Sequence, residues 1–377
     1  MNYTARYIPS PEVFLEAQLS RARRVKGFKT TPPAIEATAR NISGLTQEGE
    51  YVVQLLDEHH HELDAAVADF DGKHLSISEI SKDTFSIPKL GPLLVNQRQK
   101  LHCGLGLCLL RGIEPGRYTR RGNIVAFAGI GCYVAETIGR QPGGKFIGHI
   151  RDLSNHSDPA SRAAPYRNTE LPFHTDAADV VGMYVLFAAP DGGEGTFASV
   201  AQICDTLASE DPELVEVLMR EDWPFVKPPT GGLYYTRSVV SRSPVLSHIP
   251  EAFFSRGFLI DNPESSSRRP TCVPNLTGMQ AYALDAFNFA AQRHALEIRW
   301  QSGDVCFFNN RRIVHGRNAF RNGQSEKETR HILRLWLGDH QFSGEPPPTL
   351  VPRWKKIFRA RSESDKGDDL WPLEPAP

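Results

Sequence analysis

Nothing in the 377-residue sequence is skewed enough to name a partner by charge. Its 43 Lys and Arg stand against 44 Asp and Glu, so there is no net field to attract nucleic acid or a membrane surface. No apolar run approaches the length of a membrane span, and the start, Met1-Asn-Tyr-Thr-Ala-Arg-Tyr7, lacks the apolar centre of a signal peptide; a soluble, cytoplasmic protein is expected. Cysteine is sparse. The six residues Cys103, Cys108, Cys132, Cys204, Cys272 and Cys306 form no Cys-x-x-Cys pair and are too few for a secreted disulfide framework, so reduced, mostly buried thiols are expected. Gly104 and Gly106 lack the third glycine of a dinucleotide fingerprint, and Pro142-Gly-Gly-Lys145 lacks the rest of a phosphate loop, which leaves that stretch as a turn.

What is present is a strand-rich chain interrupted by helices. Ser10 as N-cap and Pro11 at the first helical position predict a helix over 11–26, closing on the basic cluster Arg21, Arg23, Arg24 and Lys26. Val52, Val53, Leu56, Leu63, Val67 and Phe70 predict one long amphipathic helix over 48–70. His59-His-His61 on that helix reads as a solvated face, because adjacent helical residues cannot all face one ion. The stretch 101–112 reads as a buried strand ending in a turn. Asp211 and Pro212 open a further helix. Tyr234-Tyr235 and Phe253-Phe254 fall in a mixed aromatic region and are given no role. Leu296, Ile298 and Trp300 alternate with charged residues, Ser302-Gly303-Asp304 turns the chain, Val305–Phe308 runs back, and Asn309-Asn310 turns it again. His331–Leu337 is a last strand. Beyond Gly344, Pro346-Pro-Pro348 and a basic and polar run read as a surface tail.

The stretch Leu171–Ala188 carries the chemistry. Strand side chains alternate, so His174 and Asp176, two residues apart, project from one face with metal-ligand spacing. His315, in Asn309-Asn-Arg-Arg-Ile-Val-His-Gly-Arg317, would complete a set of two histidines and one carboxylate. Such a set leaves positions open on the metal and points to non-haem Fe(II) oxygenase chemistry. A His-x-Asp is expected about once by chance in a chain of this composition. A rival pair, His156 and Asp158, lies in the polar, proline-broken run Ser154–Ser161, with no apolar strand to hold it in register.

Arg330 and Arg334 share strand parity with Ile332 and Trp336 and stand about 13 Å apart at ~3.3 Å per residue. A guanidinium on an apolar face is costly without an anion, and its planar fork suits a carboxylate. The partners are either anionic ligands or internal Asp and Glu side chains.

Taken together, Phe173-His-Thr-Asp176, Gly192-Gly-Glu194, Gly303-Asp-Val-Cys-Phe-Phe-Asn-Asn310, His315-Gly-Arg317 and Thr329-Arg-His-Ile-Leu-Arg334 resemble the taurine dioxygenase, or clavaminate-synthase-like, family of Fe(II)/2-oxoglutarate enzymes in its fungal-type form. The resemblance spans roughly 101–337. It implies that His174, Asp176 and His315 ligate iron, that Arg330 binds the distal carboxylate of 2-oxoglutarate, and that Arg334 falls where relatives hold an anionic group of the substrate. A threonine after the Gly-Gly-acidic turn often shares the cosubstrate carboxylate in this family; here Gly195 intervenes and Thr196 comes one place late.

The implied fold is mixed β with flanking α: a double-stranded β-helix, or jelly roll, with added helices. The chain then divides into a helical extension at 1–90 packed on the core, a catalytic domain at 91–342 with a helical insertion at about 201–295, and a Pro-rich, charged tail at 343–377. The implied reagents are Fe(II), 2-oxoglutarate and O2, with oxidation of a C–H bond in a small, anionic substrate and release of succinate and CO2. Asp176 argues against halogenation, since the halogenating relatives lack that carboxylate. Hydroxylation, desaturation, cyclisation and epimerisation differ in substrate placement and not in ligands. A zinc hydrolase on the same ligands, or a non-catalytic metal-binding jelly roll, are the alternatives; neither gives Arg330 a reason. Substrate identity and oligomeric state are not written in the sequence.

Overall fold

The strands that carry the site belong to two facing sheets. The computed structural model describes residues 1–24, 48–154, 163–227, 231–262, 268–362, 365 and 367–374. The larger sheet runs Val52–Gln54, Leu107–Arg111, Val305–Asn309, Val180–Phe187, His331–Gly338, with Thr137–Gly139 and Gly148–Arg151 both pairing the last of these. All its pairs are antiparallel except the first. The smaller sheet runs Leu296–Ile298, Gly195–Ser199, Ile313–Arg317, Leu171–His174, and is antiparallel throughout. This is the jelly roll expected from the sequence.

Alternation explains why these strands read as near-continuous apolar runs: each sheet is covered on both faces. Cys306 and Phe308 point between the sheets with Val181, Val185, Phe197 and Ile332, whereas Val305 and Phe307 point outward against Ile124 and Phe127 of the helix Arg120–Val134. The outer face of the smaller sheet, through Phe173, Ala198 and Val314, is covered by Ala283 and Phe287 of the helix Gly278–Arg293 and by Ile203 and Leu207 of Val200–Glu210.

Several sequence expectations need correction. The region 48–70 is not one helix: Val52–Gln54 is a parallel edge strand of the larger sheet, and the helix begins at Asp57. Two consecutive valines are drawn into pairing with Leu109 and Leu110, a tertiary gain that outweighs the helical period. His59 is buried there, its Nδ1 accepting the Leu56 N–H, so it caps the helix and is not solvated. In 101–112, Leu101 to Cys103 close the helix Leu90–Cys103, and the strand starts only at Leu107.

Ser302-Gly303-Asp304 does not join a hairpin. It carries the chain from the smaller sheet to the larger one, and Gly303, at φ +94, is required because a Cβ would lie 1.7 Å from the Ile113 carbonyl oxygen.

The segment 343–377 is not a surface tail. Leu350, Trp354 and Ile357 are buried, and Trp371 is wholly buried, stacked on Phe146 at 5.2 Å between centroids with its Nε1–H donated to Ser78. The N-terminal helix Pro11–Arg24 packs on the insertion: Phe14 stacks on Tyr282, and Arg21 pairs with Asp211, which therefore does not use its side chain as a cap. All six cysteines are free, and only Cys108, Cys204 and Cys306 are buried.

Candidate active site

His315 pairs directly with His174 across the smaller sheet, which brings the two rings to 4.2 Å between centroids. His174 Nδ1 donates to the Pro172 carbonyl at 3.0 Å, so the tautomer is set and Nε2 carries the free lone pair. Burial pushes both imidazoles below their ordinary pKa, His315 furthest because His174 adds to the effect. Neutral rings are the form that binds a metal.

Asp176 does not sit on the strand, as alternation alone implied, but just past its end at His174. A clamp from the turn that joins Val305–Asn309 to Ile313–Arg317 replaces the strand. Asn310 Oδ1 accepts the Asp176 N–H at 2.9 Å, and Asn310 Nδ2 donates to the carbonyls of Asp176 and Ala178 at 2.9 and 2.7 Å. Its carboxylate Oδ2 is 4.0 Å from His315 Nε2. Burial raises the Asp176 carboxyl, but the Arg334 guanidinium outweighs it and holds the group ionised below the usual carboxylate range.

Two neutral imidazoles and an ionised carboxylate are a donor set that fits a divalent iron ion. Among the described residues no three His, Cys, Asp or Glu are drawn into a finished cluster, because the Asp176 carboxylate turns to Arg334. His156 and Asp158 lie outside the described residues.

The two arginines have different environments. Arg334 donates through Nε to Gln141 at 2.9 Å and through Nη1 to both Asp176 oxygens at 3.3 and 3.1 Å. Its partner is an internal carboxylate, Asp176 of the motif itself. Arg330 is 4% exposed, and no guanidinium hydrogen bond to a described residue satisfies it; its Nε and Nη1 are fully buried. Phe320 lies beneath it at 5.2 Å, and Gly193, at φ +78, packs where a Cβ would come within 3.3 Å of it. Burial, with Arg317 nearby, pushes the Arg330 pKa well down.

His174, His315, Arg330 and Arg334 line one narrow cavity between the sheets, together with Gly195 and Phe197. Thr196, of opposite parity to those last two, points to the other side of its strand and is not brought to the cavity.

A second cavity, of about 800 Å³, opens from His174, Asp176 and Arg334. Its walls include Phe253 and Phe254 of the insertion and Leu350, Trp354 and Ile357 of the C-terminal segment, none of which sequence reasoning assigned. Thr175, between the two motif residues, exchanges hydrogen bonds with the Phe254 backbone at 2.8 and 2.9 Å, which docks the insertion onto the motif. Trp354 donates Nε1–H to Asp179 at 2.8 Å, and Asp179 also takes Arg311. The only sequence signal for Asp179 was its place in the central stretch, three residues beyond Asp176.

Residues 71–336 match the family described as taurine catabolism dioxygenase TauD, TfdA family. Over 346 residues the chain is 30% identical to the taurine hydroxylase-like protein SAT17 of Stachybotrys chartarum, covering 88% of this chain and 86% of that protein. Asparagine oxygenase in complex with Fe(II), 2S,3S-3-hydroxyasparagine and succinate superimposes with a TM-score of 0.59 at 15% identity, over 76% of this chain and 93% of the other. The non-heme iron oxygenase OrfP, in complex with Fe and alpha-ketoglutaric acid, gives 0.56 at 18% identity over 76% and 93%. No described helix is long and apolar enough to cross a membrane.

Proposed function

Because the chain belongs to the taurine catabolism dioxygenase TauD, TfdA family, and is thereby an Fe(II)- and 2-oxoglutarate-dependent dioxygenase, we propose that His174, Asp176 and His315 are its iron ligands and Arg330 its cosubstrate anchor. The large cavity takes a small molecule whose C–H bond is oxidised while 2-oxoglutarate is converted to succinate and CO2. The observation that carries this assignment is Arg330: a buried cation with unpaired N–H groups, opening on the same narrow cavity as both histidines. A desolvated guanidinium in that state calls for an anion, and the distal carboxylate of the cosubstrate matches its fork.

Iron, when bound, supplies oxygen activation coupled to cosubstrate decarboxylation; that chemistry belongs to the cofactors. The chain orients and excludes. The Pro172 carbonyl aims His174, Asn310 fixes the Asp176 backbone, and Phe320 and the glycine turn at 192–193 close Arg330 off from water. Arg334 holds Asp176 from the substrate side, and its Nη2, with no hydrogen bond to a described residue, is left for a polar or anionic group of the substrate.

The test is aerobic succinate release from 2-oxoglutarate with Fe(II), measured together with calorimetric binding of 2-oxoglutarate and Mn(II). Turnover and binding that both need His174, His315 and Arg330 are expected. Absence of 2-oxoglutarate binding in folded protein overturns the assignment.

A further inference from the structure

Most buried arginines in this molecule are matched. Arg256 pairs with Asp285 and Arg311 with Asp179, while Arg317 spends its terminal nitrogens on the carbonyls of Pro165, Arg167 and Thr169. Arg330 is not matched, and the proposed function gives it the cosubstrate. One more is left over. Arg237, at the end of the strand Tyr234–Arg237 in the insertion, is 5% exposed and lines the large cavity.

Its guanidinium lies flat on Phe225, 3.5 Å from the ring centroid. Nε reaches the Tyr235 hydroxyl at 3.2 Å and Nη1 the Ser238 carbonyl at 2.8 Å; Nη2 has no hydrogen bond to a described residue, and no described carboxylate pairs with it. Burial lowers its pKa to about 10, and Arg353 across the cavity adds to the positive potential without relieving it. A buried guanidinium stacked on a ring, with no described carboxylate beside it and Nη2 free of any hydrogen bond to a described residue, is a built anion subsite.

The rest of the cavity says what the anion is attached to. Among its described lining residues basic side chains outnumber acidic ones eight to two, and both acids already hold an arginine, Asp176 with Arg334 and Asp261 with Arg268. The wall that the metal end and Arg237 share is largely apolar and includes Phe253, Phe254, Trp336 and Trp354. Two hydrogen-bonded steps tie the ends into one body: Phe253 N–H to the Val239 carbonyl, and Thr175 N–H to that of Phe254. A volume of about 800 Å³ is in the range that holds drug-sized ligands, well beyond a free amino acid.

We propose that the substrate is an extended molecule with an apolar body, whose anionic group, a carboxylate, sulfonate or phosphoryl, is held by Arg237 remote from the carbon that is oxidised. The proposal rests on the functional assignment above, since it takes the large cavity as the substrate's.

Octanoate, octyl sulfonate, octyl phosphate and 1-octanol, titrated calorimetrically into protein loaded with Mn(II) and 2-oxoglutarate, test it. Loading occupies Arg330, so the probes report the large cavity alone. At least one charged probe should bind about tenfold or more tightly than 1-octanol, and which head group wins names the anion. Arg237→Gln should bring that ratio within about twofold, Arg237→Lys should keep part of it, and Lys73→Gln, an exposed cation outside the cavity, should leave it intact. Equal binding of 1-octanol and all three acids by the unaltered protein overturns the inference, whatever the variants do. So does a preference that survives Arg237→Gln, or one lost in Lys73→Gln. Failure to load 2-oxoglutarate at all is a separate outcome that sinks the assigned function instead.

Discussion

The two cavities that meet at His174 and Arg334 are made in opposite ways. The narrow one is enclosed mainly by strands of the two sheets, and its polar groups converge within a few residues of one another along Leu171–His174, Ile313–Arg317 and His331–Gly338. The wide one is assembled from elements outside the barrel: the insertion, the loop at 141–144 and the segment 350–357. A jelly roll can thus hold its reagents with rigid, register-fixed strands while what it acts on is set by added segments that vary independently of the barrel.

Breaking the narrow side should have the largest effect. His174→Ala, Asp176→Ala and His315→Ala are each expected to abolish turnover and iron retention, read by metal analysis of the purified proteins. His156→Ala and Asp158→Ala should leave both unchanged. Full iron content in Asp176→Ala would remove it from the ligand set.

The two arginines sharpen the contrast. Arg334→Leu should destabilise the protein by about 3–5 kcal/mol, because it strands the buried Asp176 carboxylate without its partner. Arg330→Leu removes a buried charge that has no partner among the described residues, so the cosubstrate-free protein should unfold at the same or a higher temperature. Its 2-oxoglutarate requirement should rise by about 30-fold or more, the worth of a charge-assisted fork contact. Equal melting temperatures of the two variants would erase the distinction drawn between them.

On the wide side, Trp354→Ala should cost about 3–5 kcal/mol of stability through lost packing against Phe253, which urea titration measures. In the fraction that remains folded, KM for the substrate should change while the 2-oxoglutarate requirement does not.

The smallest effect concerns acid. His331 Nε2–H donates to His149 Nδ1 at 2.8 Å, and His149 Nε2–H to the Pro372 carbonyl at 2.7 Å. Burial, then His149, pushes His331 down to about 3, and burial lowers His149 too. Both folded values lie below the unfolded value of about 6.5, so the unfolded chain takes up protons that the folded one does not. Stability is therefore fully present above about pH 6.5 and falls as the pH drops toward 3. His331→Phe should flatten the melting temperature between pH 6.5 and 4.5; an unchanged slope would show that other groups set it.

How much of this was legible follows the same division. Arg330 and Arg334 were singled out because strand parity is a local property, and it placed Ile332 and Trp336 on the same inner face correctly; His315 was picked to complete a ligand set and by the order of motifs, which parity does not give. That Arg334 finds Asp176 while Arg330 finds no hydrogen-bond partner among the described residues was not readable, since the partner of Arg334 is 158 residues away and parity treats both alike. Asp176 was picked by spacing, yet what positions it is Asn310, in a turn 134 residues further along the chain. Arg237 and Phe253 carry no periodic signal that separates cavity wall from ordinary core. In the C-terminal segment a few apolar side chains, Leu350, Trp354, Ile357 and Trp371, are scattered among charges, so average composition hid the residues that anchor it.

The clamp between Asn310 and Asp176 spans 134 residues of chain. A contact of that range forms only after loop closure has been overcome and both sheets have met, which places it late in folding. The motif His174-x-Asp176 by itself is thus an open hook, without the geometry of a chelate while the chain is still collapsing. Iron added to the denatured protein should leave the refolding rate unchanged and be taken up only afterwards, as a late passenger of a finished barrel and not as the seed around which it crystallises.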